Sequence, residues 1–428
     1  MSPIAISTIV LLILLFLNVP VFLAVLSGCI VYFMGNQTSS VLLAQRVISG
    51  MESIPMLAVP FFVATGVFMN YSGITERMLK FCKVLTGHMT GGLAQVNIIL
   101  STLMGGMSGS SLADAAMEAK MLVPEMEKDG FPRPFSTAVT AASSIITPLI
   151  PPGIAAIIYG SVTNTSIGRL FVAGIIPAII LCLAMMALVM AISKKHGYKP
   201  IYDKRASSKE LWEAFKPAFF PLLLPFIIIG GIRFGIFTPT EAGAIAILYA
   251  LVLGFCYKTL KLKHLILGLK ETVISTGTIM MIVGAAACFA WVLTAEMVPQ
   301  TITNLLIGLC KNKYVFLLVV NLFLLIVGMF IEATAAQIVL APMLVPVALA
   351  FGIDPVHFGM VFIFNMAIGS LTPPMGNLMF VACGATKCKT EDFIKASIPF
   401  YLLLFGALLL MTYFPAITTI LPNLIYGM

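Results

Sequence analysis

Long apolar runs, separated by short polar or Gly/Pro-rich breaks, set the pattern of this chain. They fall at roughly 3–34, 55–72, 92–127, 136–162, 170–193, 217–232, 240–257, 272–295, 315–350, 357–386 and 397–422. Those at 92–127, 136–162, 315–350 and 357–386 are interrupted. A membrane-crossing helix takes about 20 apolar residues, so the pattern predicts on the order of ten crossings in one all-α polytopic membrane bundle. Barrel strands alternate apolar and polar positions over about ten residues, and these runs do not alternate. The mixed segment Ser39 to Ser53 reads as a short interfacial helix along the membrane surface. Residues 3–34 carry no charge, and Pro20 follows Asn18-Val19 midway. That stretch fits one long kinked helix or two short spans. It lacks the basic n-region and small-x-small site of a cleaved leader, so a retained helix is expected.

Composition narrows the function classes. Of 428 residues, 60% are hydrophobic and 10% charged, with mean hydropathy +1.06. Soluble domains carry about 25% charged residues, which excludes a soluble enzyme. The formal charge of +8 comes without a basic stripe interleaved with aromatics, so nucleic acid is not an expected partner. The eight cysteines form no CxxC and lie mostly in apolar runs, as small buried hydrophobes do. Four scattered histidines give no transition-metal cluster. Without a GxxxxGK[ST] motif, ATP hydrolysis by this chain is not expected.

Basic residues orient the bundle. The gap 194–216, KKHGYKPIYDKRASSKELWEAFK, holds seven Lys/Arg and is placed in the cytoplasm by the positive-inside bias. Alternating sides outward from it puts 20 of the 25 Lys/Arg inside. Arg46, Arg169, Arg233, Lys311 and Lys313 fall outside. This walk takes 92–127 and 315–350 as segments that return to the side they left. Two full crossings each give the same parity, so charge alone leaves both open.

An internal repeat bears on that choice. Met121-Leu122-Val123-Pro124 recurs 222 residues later as Met343-Leu344-Val345-Pro346, and Gly130 recurs as Gly352. Upstream, GGMSGSSLADAA (105–116) aligns with VGMFIEATAAQI (327–338). Downstream, the Thr147-Pro148…Pro151-Pro152-Gly153 break answers Thr372-Pro373-Pro374-Met375-Gly376. Opposite orientation of the copies makes an inverted repeat, the mark of secondary transporters with a midplane site between the halves.

The polar interruptions carry the chemistry. GGMSGSSLAD (105–114) predicts a re-entrant hairpin tip, since irregular backbone at membrane depth is tolerated only in protein or beside a wet cavity. Ser110 or Ser111 caps the returning helix. That helix end suits a carboxylate, and the hydroxyls and free carbonyls suit Na⁺. Asp114 reads as the only acid deep in the first half, and an intramembrane acid is a functional candidate by default. At the second tip, Phe330 to Gln337, Glu332 aligns with Ser110, while Thr334 and Gln337 add oxygens. Each Pro/Gly break splits its helix and exposes carbonyls of the kind that coordinate Na⁺. Thr147 and Thr372 flank the breaks, Asn377 follows the second, and Asn365 precedes it by two turns. Glu241, Glu296 and Arg233 read as interface anchors at span ends. Two other classes fit less well. Gly106-Met107-Ser108-Gly109 matches the GxSG of intramembrane serine proteases, but only the boundary residue His357 offers a base. A channel would also place polar breaks at mid-membrane. Saturable, Na⁺-dependent flux separates a transporter from it.

Taken together, PMLAVPFFVATGVFMNYSG (55–73), GGMSGSSLADAA with MLVPEM, SSIITPLIPPG (143–153), the basic central loop and AIGSLTPPMGNL (367–378) resemble the large membrane subunit of TRAP (tripartite ATP-independent periplasmic) transporters. The resemblance runs over nearly the whole chain. It implies Na⁺-coupled uptake of an organic acid, such as a C4-dicarboxylate or sialic acid, across a bacterial inner membrane. It also implies a small membrane (Q) subunit, here expected as a separate chain, a periplasmic substrate-binding (P) protein and no ATPase subunit. The implied fold is an elevator-type inverted repeat similar to divalent-anion/Na⁺ symporters, with two hairpins and two broken helices moving against a scaffold. By position, the first Na⁺ site falls on Ser108, Ser110, Asp114, Thr147, Pro148 and Gly153. The second falls on Glu332, Thr334, Ala335, Thr372 and Gly376. The substrate carboxylate falls between the tips, near Ser110, Ser111, Thr334 and Asn377. The expected division is scaffold (1–54), first repeat (55–193), loop and linking helices (194–271) and second repeat (272–428). A stand-alone Na⁺/anion symporter remains the alternative.

Overall fold

In the computed structural model the chain is helical, and the structure describes residues 2–427 except 18, 53, 299, 302–307, 309 and 311. No strand occurs among the described residues. In chain order the helices are α1 (Pro3–Phe16), α2 (Val21–Gly35), α3 (Ser40–Met51), α4 (Ala58–Tyr71), α5 (Ile74–Thr86), α6 (Gly92–Ser108), α7 (Ser111–Lys128) and α8 (Arg133–Ser143). Then follow α9 (Ile154–Thr163), α10 (Ile167–Ala173), α11 (Ile175–His196), α12 (Ser208–Arg233), α13 (Pro239–Cys256) and α14 (Leu262–Ala295). The last are α15 (Lys313–Phe330), α16 (Ala333–Ala350), α17 (Pro355–Leu371), α18 (Asn377–Thr386), α19 (Thr390–Tyr413) and α20 (Ala416–Tyr426). Among the described residues seven helices are long and apolar enough to cross a bilayer, or nine if each of two bent pairs counts as one span.

The N-terminal alternatives resolve into two short helices packed back to back. The Ser7 hydroxyl donates to the Gly28 carbonyl at 2.7 Å, and Gly35 lies against Pro3, so α1 and α2 run antiparallel. At 14 and 15 residues each rises only about 21–23 Å, short of the roughly 30 Å hydrocarbon core. Helix α3 buries none of its side chains. It lies across the C-terminal half of α14, with Arg46 over the Trp291 ring at 5.3 Å.

The central loop is shorter than the sequence suggested. Ser207 and Glu210 form a reciprocal capping box, which starts α12 at Ser208 and absorbs the polar residues 208–216 into a 26-residue helix. What remains of the loop straps the base of the first hairpin: the Ile201 and Tyr202 amides donate to the Gly87 carbonyl at 2.8 and 3.1 Å, and the Tyr198 ring packs on Phe131 at 4.5 Å. The expected boundaries at 193/194 and 271/272 fall inside α11 and α14.

Two hairpins and two broken helices occupy the centre. Helices α6 and α7 form the first hairpin, and α15 and α16 the second. Helix α8, a 3₁₀ segment at Ser144–Leu149 and α9 make the first broken helix, bent by 42°. Helices α17 and α18 make the second. These broken helices run antiparallel. Thr137 near the start of one donates to Thr386 at the end of the other at 3.1 Å, and Tyr159 near the end of the first donates to the Pro355 carbonyl at the start of the second at 3.1 Å. The outbound arm α7 packs on α18, and its repeat partner α16 packs on α9. The halves are therefore inverted and interlocked. Close backbone approach is bought with glycine: Gly328 of α15 faces Gly369 of α17, with no room for a Cβ on either.

Candidate functional site

The first hairpin turns over two residues. Gly109 caps α6 with φ +63°, a conformation that costs other L-residues about 1–2 kcal/mol. A Cβ there would stand 2.6 Å from the Pro152 carbonyl oxygen, because the tip rests directly on the first break. The Gly109 carbonyl in turn accepts from the Ile154 amide at 3.3 Å. Of the two serines, Ser110 is the cap: its hydroxyl accepts from the Ala113 amide at 3.4 Å. At the second tip the equivalent residue, Glu332, caps α16 by accepting from the Ala335 amide at 2.9 Å. The two caps lie 222 residues apart, the repeat offset.

A cavity of about 720 Å³ joins the tips. Ser110 and Ser111 line it from one hairpin, Glu332 and Thr334 from the other, with Pro148 and Asn377 from the two breaks. All four positions expected near a substrate carboxylate, Ser110, Ser111, Thr334 and Asn377, thus face one space. The two hairpin tips thus meet across one space, as a pair of repeat-related hairpins is expected to do. The scaffold closes the cavity with Ser275 and Thr278 of α14, residues the sequence did not single out. Gln337 also lines it, and its amide is tied to the Ala155 carbonyl at 2.6 Å.

Beside the first tip, Asp114 is buried and accepts from the Thr147 hydroxyl at 2.7 Å. The Ser108 hydroxyl lies against the same carboxyl and accepts from the Ser110 amide at 3.3 Å. Ser108, Ser110, Asp114 and Thr147 therefore come together. Gly153 sits where a Cβ would meet the Pro148 carbonyl oxygen at 2.6 Å, which folds the first break back on itself. At the second break, Gly376 stands equally close to the Ser370 and Thr372 carbonyl oxygens. The buried Thr372 hydroxyl is spent on the Ile368 carbonyl at 2.8 Å, and Ala335 is fully buried. Asn365 does not turn toward the break. It holds Asn321 of α15 at 2.8 Å.

Two expectations are corrected. Asp114 is not the only deep acid of the first half: Glu118, one turn further on, is fully buried and accepts from the Ser101 hydroxyl at 2.5 Å. His357 offers no base to a GxSG serine, since its ring nitrogens face Thr418 at 2.8 Å and the Thr412 carbonyl at 3.3 Å. Of the residues read as interface anchors, Glu241 caps α13 through Thr238, Glu296 accepts from Tyr32 at 2.7 Å, and Arg233 lies over the Tyr426 ring. Lys311, counted among the five outside basic residues, lies outside the described residues. All eight cysteines are free and seven are buried. No group of three or more His, Cys, Asp or Glu suited to a metal ion occurs among the described residues.

Comparison with known proteins follows the same lines. Residues 8–417 match the family described as "Tripartite ATP-independent periplasmic transporter, DctM component". The sialic acid TRAP transporter large permease protein SiaM of Vibrio cholerae is 44% identical over 97% of both chains. The sialic acid TRAP transporter permease protein SiaT of Haemophilus influenzae is 39% identical over 99% of this chain and 69% of its own length. The C4-dicarboxylate TRAP transporter large permease protein DctM of Pseudomonas aeruginosa is 36% identical over 93% of both. In fold, the chain is similar to the Alcanivorax borkumensis YdaH transporter, with a TM-score of 0.59 at 16% identity and 87% coverage of each.

Proposed function

The chain belongs to the DctM-component family of tripartite ATP-independent periplasmic transporters, and from that membership we propose that it carries an organic acid together with Na⁺ into the cell. It is a multi-pass inner-membrane transporter subunit and not an enzyme. One observation carries the Na⁺ reading. No Lys, Arg or His lines the cavity among the described residues, while Glu332 lines it and Asp114 lies beside it. An anion there lacks a basic partner. Its charge is met by the first turn of α7, where Ser111 and Leu112 line the cavity, and by cations at Asp114 and the break carbonyls. At the second tip the Glu332 carboxylate already offsets the positive end of α16, so the substrate carboxylate belongs at the α7 end.

Sialic acid heads the substrate classes, because the relatives at 44% and 39% identity are named for it. A C4-dicarboxylate is second, since its other carboxylate would approach Glu332. In the cycle, Na⁺ and substrate favour the same state, so each raises the affinity for the other. The two hairpins and two broken helices then shift as one elevator body against α4, α12, α13 and α14. A small membrane subunit and a periplasmic binding protein complete the system.

Uptake in proteoliposomes holding this chain with its small subunit tests the reading, with binding protein, labelled acids and an inward Na⁺ gradient. Saturable uptake requiring both Na⁺ and binding protein is expected. Uptake without binding protein would identify a stand-alone symporter. Non-saturating flux would identify a channel.

A further inference from the structure

Two polar links join the outbound arm α7 to the first broken helix, one above the other. The upper is Asp114 to Thr147 at 2.7 Å. The lower starts four residues further along α7, at Glu118, on the same helix face. It passes to Ser101 of α6 at 2.5 Å and on to Ser143 at 2.8 Å, four residues before Thr147. Asn97 extends it by donating to Thr140 at 2.6 Å. Every side chain in the lower link is fully buried.

Glu118 makes this link without a counter-charge. The ion pairs among the described residues are Lys83–Glu125 and Arg133–Glu127, and α6, α18 and the 3₁₀ segment carry no charged residue. Its second oxygen has no hydrogen-bond partner. A buried acid so placed is expensive, and an apolar side chain would fill the space at lower cost. What glutamate supplies is a directional tie across three helices. The second repeat ties its inbound arm to its broken helix with neutral groups alone: Asn365, 222 residues after Ser143, donates to Asn321 of α15, which donates to Thr412 of α19 at 2.9 Å.

We propose that Glu118 is a positioning residue for the cation site: through Ser101 and Ser143 it holds α7 against the first broken helix at the spacing the Asp114–Thr147 pair requires. This rests on the reading of Asp114 and Thr147 as Na⁺ ligands. The test measures thermal stabilisation of the purified protein by Na⁺ alone, with Na⁺ activation of uptake in parallel. Glu118→Ala is expected to raise the half-saturating Na⁺ concentration about five- to tenfold, as loss of one strong buried hydrogen bond does. The KM for substrate at saturating Na⁺ stays within about twofold. Ser101→Ala shifts Na⁺ affinity in the same direction by less. Glu118→Gln, whose amide spans the same distance to Ser101, restores the wild-type midpoint within about twofold. A folded Glu118→Ala with an unchanged Na⁺ midpoint overturns the proposal. So does a Glu118→Gln as defective as the alanine variant, because charge and not the tie would then matter. If Glu118→Ala does not fold, an unchanged midpoint in Ser101→Ala overturns it. No Na⁺ stabilisation of the wild type removes the Na⁺ reading itself, and this inference with it.

Discussion

Asp114 sits beside two hydroxyls, Thr147 and Ser108, where a carboxyl is costly and a cation is the natural partner. Asp114→Asn is expected to raise the Na⁺ concentration for half-maximal uptake by tenfold or more, in line with the roughly 1.5–3 kcal/mol of a hydrogen bond to a charged group. Unchanged Na⁺ activation would exclude it as a ligand. Thr147→Val keeps the shape but removes the donor, and a shift of about threefold to tenfold is expected in the same Na⁺ titration. Asp114 was legible in the sequence because it follows a Gly/Ser turn inside an uncharged run. Glu118 was not. It shares its helix with Lys120, Glu125, Glu127 and Lys128, so its stretch reads as the hydrated end of α7. Only the packing of α6, α8 and α18 around that helix places it in the interior.

At the scale of elements, glycine, serine and proline punctuate the hairpins and breaks, and those were legible because each residue type has a backbone consequence that survives any tertiary context. Gly109→Ala puts this to the test. It introduces both a left-handed alanine and a Cβ against the Pro152 carbonyl. Both a lower thermal midpoint and lower uptake are expected, whereas Gly197→Ala, also at positive φ but with open space around it, costs stability without touching transport. Wild-type uptake in Gly109→Ala would mean that the tip does not rest on the break as seen. Other elements were hidden for physical reasons. SKELWEAF reads as loop by polarity, yet one capping box makes it helix. The uncharged stretch 3–34 contains nothing that distinguishes a kink from a turn, and the Ser7–Gly28 link that decides it is a tertiary contact.

At the scale of the molecule, the proposed elevator carries the two antiparallel broken helices and the hairpins as one body and leaves α5 with the static helices, and α5 meets α7 through Thr75, whose hydroxyl faces the Met117 sulfur at 3.6 Å. A Thr137→Cys/Thr386→Cys pair, once oxidised, is expected to leave uptake near the wild-type rate, because both residues travel together. A Thr75→Cys/Met117→Cys pair is expected to stop uptake until reduced. Equal inhibition by both cross-links would mean that the hairpins and broken helices do not move as a unit. The reciprocal clamp of α7 on α18 and of α16 on α9 also has a genetic reading. Each half of the gene encodes a hairpin whose outbound arm finds its seat only in the product of the other half. The molecule has the geometry of a two-fold dimer written on one strand. If the gene is cut between the codons for Asp203 and Lys204, each fragment made alone should be degraded, and transport should return only when both are synthesised in the same cell.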